Sequence, residues 1–217
     1  MNSIILDNFN KIINDIHQLN SSTQLVAVSK FQPVEKILPL LEHGHRIFGE
    51  SRVEEAYEKW SLLKDKYTDL ELHFIGGIQS KKIKKIVNFF DVIESVDSVN
   101  TLKKIIKYAA EVQKIVRIFI QINIGNELQK SGVDLSDLND LFQKAISSRS
   151  IKLEGFMCIP PNTEEVEPYF LKMKELKSLY EIENLSMGMS NDYKKAIPIG
   201  ANYIRIGSSL FGVRDYF

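Results

Sequence analysis

Apolar positions along the chain alternate between two periods. In the opening stretch, Ile4, Ile5, Phe9, Ile12, Ile13, Ile16 and Leu19 recur at three- and four-residue intervals, the spacing of one face of an amphipathic helix. The run Leu25–Ser29 then reads as a short buried strand. Pro33 suits the first turn of a following helix, where its missing N–H is no loss. "VEKILPLLEHG" continues that helix, with Pro39 expected to kink it and Gly44 to stop it.

The same alternation repeats to the end. "HRIFG", "ELHFIG", "DVIESV", "VRIFIQINI", "KLEGFMCI", "NLSMG" and "YIRIG" read as strands. Each is followed by a helical stretch, the first "ESRVEEAYEKWSLLKDKY" and the last the single turn "SSLFGVRD". Asp97 or Ser98 is expected to cap the helix after "DVIESV". A strand that returns through a helix pairs in parallel, and several of these strands are near-continuous Val/Ile/Phe runs, as doubly covered parallel strands are. Eight such units after an extra N-terminal helix point to an α/β fold, a closed (β/α)8 TIM-type barrel; an open doubly wound sheet is the alternative. No linker or repeat divides the chain, so residues 1–217 are expected to form one domain.

Composition narrows the class. Lys+Arg and Asp+Glu balance at 28 each, which argues against nucleic-acid binding through bulk charge. Cys158 is the single cysteine, so no internal disulfide forms, and the chain fits a reducing compartment. The N-terminus lacks the basic region and apolar core of a signal peptide. No apolar run approaches the roughly 20 residues of a membrane helix. A cytoplasmic protein is expected.

Chemistry in such a barrel lies at the carboxyl ends of the strands. Lys30 follows the first strand, and partial desolvation there would favour a neutral, nucleophilic amine able to form a Schiff base with an aldehyde. Ser190, Gly207 and Ser208 lie in the last two strand–helix loops, the habitual phosphate seat of the fold, although hydroxyl residues there also serve as plain helix caps. A ligand with both an aldehyde and a phosphate is pyridoxal 5′-phosphate (PLP). Tyr203, Arg205 and Gly207 share a face by period two, which turns Arg205 inward. There it would face a pyridine nitrogen, or else form a structural ion pair, with Glu154 as the expected partner.

The chain resembles the pyridoxal phosphate homeostasis proteins, the YggS/PROSC family, which look like the alanine racemase barrel domain standing alone. "AVSKFQP", "FGESRVEEA", "HFIGGIQSKK", "QINIGNELQKSG", "LEGFMCIPP", "LSMGMSNDYKKAI" and "YIRIGSSLFGVRDY" carry the likeness in the family's order. The resemblance implies that Lys30 holds PLP covalently, that Ser190, Gly207 and Ser208 bind its phosphate, that Arg205 meets the ring nitrogen, and that Met157, Ser186 and Ser51 lie at the cofactor. It also implies PLP homeostasis, with apo PLP-dependent enzymes as candidate recipients. Two positions depart from the family's pattern: Ser51 replaces an asparagine, and Gly77 replaces a proline, which would loosen that loop.

Other signals are weaker. "SKKIKKI" reads as a solvated helix face with Ile83 and Ile86 inward. The four histidines form no metal-ligand pattern. "GSSLFG" resembles a P-loop in outline, but Val213 stands where lysine is needed. A PLP carrier without turnover is therefore expected, with an amino-acid racemase as the alternative. Racemisation needs a base on each face of the substrate carbon. The second comes, in alanine racemase, from a partner subunit completed by a β-rich domain for which this sequence leaves no room. A monomer is expected for the same reason. A barrel binding an ordinary phosphorylated metabolite is a third reading.

Overall fold

A computed structural model describes residues 2–127 and 131–212. Strands β1 (Gln24–Val28), β2 (Ile47–Glu50), β3 (Glu71–Phe74), β4 (Val92–Val96), β5 (Val116–Ile122), β6 (Ile151–Cys158), β7 (Asn184–Met189) and β8 (Tyr203–Ile206) pair in sequence order into a closed barrel. Every pairing is parallel, and β8 closes on β1 through Leu25 opposite Ile204 and Val26 opposite Arg205. The expected closed barrel is therefore the architecture found, and the open sheet is not.

Helices α2 (Val34–Glu42), α3 (Val53–Lys66), α4 (Ile83–Phe89), α5 (Val99–Glu111), α6 (Leu138–Ile146), α7 (Glu167–Leu179), α8 (Tyr193–Ile199) and α9 (Ser208–Phe211) follow the strands, after the N-terminal helix α1 (Asn2–Leu19). Pro39 does not break α2. It is buried within the helix, and its own carbonyl still accepts the His43 N–H at 3.0 Å. The helix before Phe89 starts with a 3-10 turn at Ser80–Lys82. Ser98, not Asp97, supplies the capping oxygen of α5, accepting the Thr101 N–H.

The main core lies between the strands' outer faces and the helices, with Phe48, Trp60, Phe74, Phe90, Phe156 and Phe170 fully buried in it. A second apolar cluster is separate from it: Val26, Val92, Phe119, Met157 and Tyr203, with Ile47 against them. These are the inward positions of the strands, so this cluster fills the lumen. Barrel lumens are usually filled by branched aliphatic layers. Here buried polar groups share the space: His73, Glu94, Gln121, Ser186 and Arg205.

α1 packs on α2, α8 and α9. Ile5, Phe9, Ile12 and Ile16 form its buried face. Asn8 donates from Nδ2 to the Leu210 carbonyl at 3.1 Å, and Tyr193 donates its hydroxyl to Asp15 at 2.6 Å. α1 thus straps the outside of the β1–β8 closure. None of the described helices is long and apolar enough to cross a membrane.

Candidate functional site

Lys30 is half-buried one residue beyond Ser29, and its neighbours on both sides are pinned. Ser29 is fully buried; its N–H reaches the Gly49 carbonyl at 3.0 Å, its hydroxyl donates to Glu50 Oε1 at 2.8 Å, and its carbonyl accepts Lys59 Nζ at 2.7 Å. The Phe31 N–H donates to Glu55 Oε1 at 2.5 Å. Phe31 takes a left-handed φ of 62°, which turns the chain at the strand end, and Arg52 stacks 4.7 Å from the centre of its ring. Two chain neighbours fixed in this way hold the Lys30 backbone at the end of β1.

Across the barrel mouth, Gly188 stands one residue before the end of β7, with φ +95° and a hypothetical Cβ 2.7 Å from the Ala196 Cβ. Only glycine fits there, and it lets the chain turn tightly into the loop carrying Ser190. Ser190 Oγ accepts the Ser209 N–H at 3.2 Å, and the Ser209 hydroxyl donates to the Ser190 carbonyl at 3.4 Å. These bonds couple the loop after β7 to the start of α9. Ser209 has no part in the sequence reading; it is one residue beyond the serine singled out there.

Lys30, Ser190, Arg205, Gly207 and Ser208 all line one cavity of about 1140 Å³ at the carboxyl ends of the strands. Val28 and Ile75 contribute to its wall, and residues 159–164 and Val166, with Asn191, Asp192 and Lys195, form the far side. Lys195 bridges that side, donating to the Glu164 carbonyl at 2.7 Å. Asp192 Oδ1 accepts the Met189 N–H at 2.5 Å.

Three residues expected at the cofactor are not on this cavity wall. Met157 belongs to the lumen cluster. Ser186 is fully buried, donating to Glu94 Oε2 at 2.6 Å and accepting from Arg205 Nη1 at 2.7 Å. Ser51 is half-exposed with its backbone against Gly76, where a Cβ would stand 2.3 Å from the Ser51 carbonyl oxygen. Gly77 is exposed, and a side chain on it would meet nothing within 4 Å.

Arg205 has a different ionic partner from the one expected. Glu94 Oε2 lies 3.9 Å from its Nη1, and Nη2 donates to the Cys158 carbonyl at 2.8 Å. Glu154 sits lower in the barrel and pairs with Arg117 Nε at 2.6 Å and Lys152 Nζ at 2.9 Å. Between the two levels stands His73, its Nδ1 2.5 Å from Glu94 Oε1 and its Nε2 2.6 Å from Glu71 Oε1. Arg117 Nη1 also donates to Glu71 Oε2. Burial opposes a charged imidazole, but the bonds to Glu71 and Glu94 outweigh it and push His73 up to about 9. Burial likewise opposes the Glu71 charge, yet His73 and Arg117 hold that carboxyl down at about 2. Glu94 is also held below its ordinary value, with burial overcome by His73 and Arg205. Cys158 is the reverse case: burial pushes its thiol up to about 12, so it is no nucleophile.

The set fits a small ligand bearing a carbonyl and an anionic group. An amine stands on one wall. Hydroxyls and a helix start, whose first N–H groups lack intrahelical acceptors, stand on the other. A fixed guanidinium, a donor that does not give up its proton, reaches the cavity between them. Among the described residues, no three His, Cys, Asp or Glu side chains are grouped to hold a metal ion.

Comparisons with known proteins show what the chain is similar to. Residues 4–215 match the family model described as alanine racemase, N-terminal domain. The pyridoxal phosphate homeostasis protein of Aquifex aeolicus is 36% identical over 223 residues, covering 99% of this chain and 97% of its own. The protein of that name from Escherichia coli is 34% identical over 201 residues, covering 88% and 86%. PipY of Synechococcus elongatus, solved with PLP bound, superposes with a TM-score of 0.86 at 33% identity, over 96% of this chain and 100% of its own. An alanine racemase of Clostridium difficile gives 0.77 at 17% identity, over 96% of this chain and 56% of its own, a likeness of fold.

Proposed function

The chain belongs to the alanine racemase N-terminal domain family and, within it, to the pyridoxal phosphate homeostasis proteins, and on that premise we propose that it is a PLP carrier which holds the cofactor as a Schiff base on Lys30. The observation that carries this reading is the single cavity walled by Lys30 on one side and by Ser190, Gly207 and Ser208 on the other. PLP would supply an aldehyde for the Lys30 amine to condense with, one water being released. Ser190 and the start of α9 would seat the phosphate. Arg205 would donate to the ring nitrogen, which would make the ring a weaker electron sink than one partnered by a carboxylate.

Carriage rather than turnover is favoured by what surrounds the amine. The described residues lining the cavity include no tyrosine, histidine or cysteine to act as a second base opposite Lys30. Of the lining carboxylates, Asp192 accepts the loop N–H of Met189, and Lys195 donates to the backbone carbonyl of the other, Glu164. Release to apo PLP-dependent enzymes, in a monomeric form, completes the proposal.

The test is PLP loading followed by borohydride reduction and mass spectrometry. One pyridoxyl adduct is expected on Lys30 and none on Lys30→Ala. An adduct that persists in Lys30→Ala, or its absence from the wild type, overturns the assignment. Racemisation of common amino acids at enzymatic rates overturns the carrier reading.

A further inference from the structure

The lumen of this barrel holds a continuous line of alternating charge of which the proposed chemistry uses only the last member, Arg205. From the amino ends of the strands upward it runs Glu154, Arg117, Glu71, His73, Glu94 and Arg205, each in direct contact with the next. The upper half is buried throughout: His73 and Glu94 have no exposed side-chain surface, and Arg205 has 3%. Ionic groups in a lumen are costly unless each is paired, and an aliphatic layer would fill the same space. The line also leads somewhere. Its upper end, Arg205, is the one member that lines the cavity.

We propose that Glu94 and His73 are positioning residues for the ligand's ring: they fix the Arg205 guanidinium at the depth and angle at which it meets the ring nitrogen. This rests on the PLP reading above. An arginine fork has five N–H groups in one plane, so fixing two of them orients the rest. Nη1 is fixed by Ser186 Oγ, which is itself aligned by donating to Glu94 Oε2. Nη2 is fixed by the Cys158 carbonyl. Glu94 is shared, with Oε2 turned to Ser186 and Arg205 and Oε1 to His73. His73 cannot swing away, because its other nitrogen is bonded to Glu71 and its ring lies 5.8 Å from that of Tyr203. The guanidinium thus reaches the cavity with its charge balanced from below and its plane set.

Two ligands separate this from a purely structural role: PLP, and its carbocyclic analogue in which C–H replaces the ring nitrogen. Both carry the aldehyde and the phosphate, so both are expected to label Lys30. In the wild-type protein, the His73 ring resonances are expected to move on loading with PLP and to stay in place with the analogue. Equal shifts with both ligands, or none with either, overturn the proposal. In Glu94→Gln, apparent affinity for PLP is expected to fall about tenfold while affinity for the analogue is unchanged. Equal losses for the two ligands mean that Glu94 merely supports the barrel. Should Glu94→Gln fail to fold, the wild-type resonances alone decide. Failure of either ligand to label Lys30 overturns the PLP reading and this proposal together, a result distinct from labelling without the nitrogen-dependent shift.

Discussion

His73 is gripped between Glu71 and Glu94, and the sign of its contribution follows from its proton. The imidazole titrates near 6.5 when free and near 9 in the folded protein. Its stabilisation is fully present below pH 6.5 and is lost as pH rises through 9. Glu71 is the opposite case, with 4.5 as the ordinary value and about 2 when folded. Its contribution is present above pH 4.5 and disappears as pH falls toward 2. Urea denaturation of the unliganded protein should therefore show greatest stability between about pH 5 and 6.5. A loss on the order of 3 kcal/mol is expected on the alkaline side; a flat profile from 6.5 to 9 would mean that His73 is neutral in the fold. The residues at strand ends were legible in the sequence because the barrel tells where its chemistry lies. Glu94 was not, though it left a trace as the one charge within the apolar strand "VIESV". Nor was it legible that Glu94, rather than Glu154, serves Arg205, because which carboxylate shares a level with which arginine depends on the stagger of the strands around the barrel.

Among the elements, α3 does more than cover β2. Lys59 reaches Glu50 and Glu55 at 2.9 Å each as well as the Ser29 carbonyl, and Trp60 Nε1 donates to Glu50 Oε1 at 2.9 Å. One helix therefore ties down the ends of β1 and β2 on both sides of Lys30. The Lys59 side chain is 7% exposed and that of Glu50 0%, so truncating the lysine strands a carboxylate in the core. Lys59→Ala should lower stability by about 3–5 kcal/mol, read as a lower urea midpoint at unchanged slope. It should also slow PLP capture, because Ser29 and Phe31 lose part of their anchorage. A loss below about 1 kcal/mol would show the pair to be solvated. Helix periods were readable because each buries one continuous face. The clamp was not, since Glu50 and Lys59 look like ordinary solvated charges until the helix lies down on the strand. Pro39 does not end the helix: α2 runs through it to Glu42, one backbone bond fewer, with the ring buried.

At the scale of the whole molecule, the barrel closes where β1 meets β8, and α1 spans that closure from outside. Phe9 packs edge-on against His43 and His45, 5.6 and 5.3 Å between ring centres. Phe9→Ala should cost about 3–5 kcal/mol in calorimetry or urea titration, and the loss should be larger with PLP than without it, since a ligand adds less stability to a folded form whose rim grips it more weakly. An equal loss with and without PLP would show that the strap does not communicate with the rim that α9 helps to form.

That seam has a temporal side. The amine is at residue 30, while Gly207 and Ser208 come after all eight strands, and only the β1–β8 contact brings the two together. A chain emerging from the ribosome displays its lysine early and completes the opposite cavity wall, the proposed anion seat, only when the final strand docks. Contacts so distant in sequence form slowly. On the proposed function, an unfinished or prematurely truncated product would offer an aldehyde a passing encounter and no grip, so retention of the vitamin would itself report that synthesis and closure are complete.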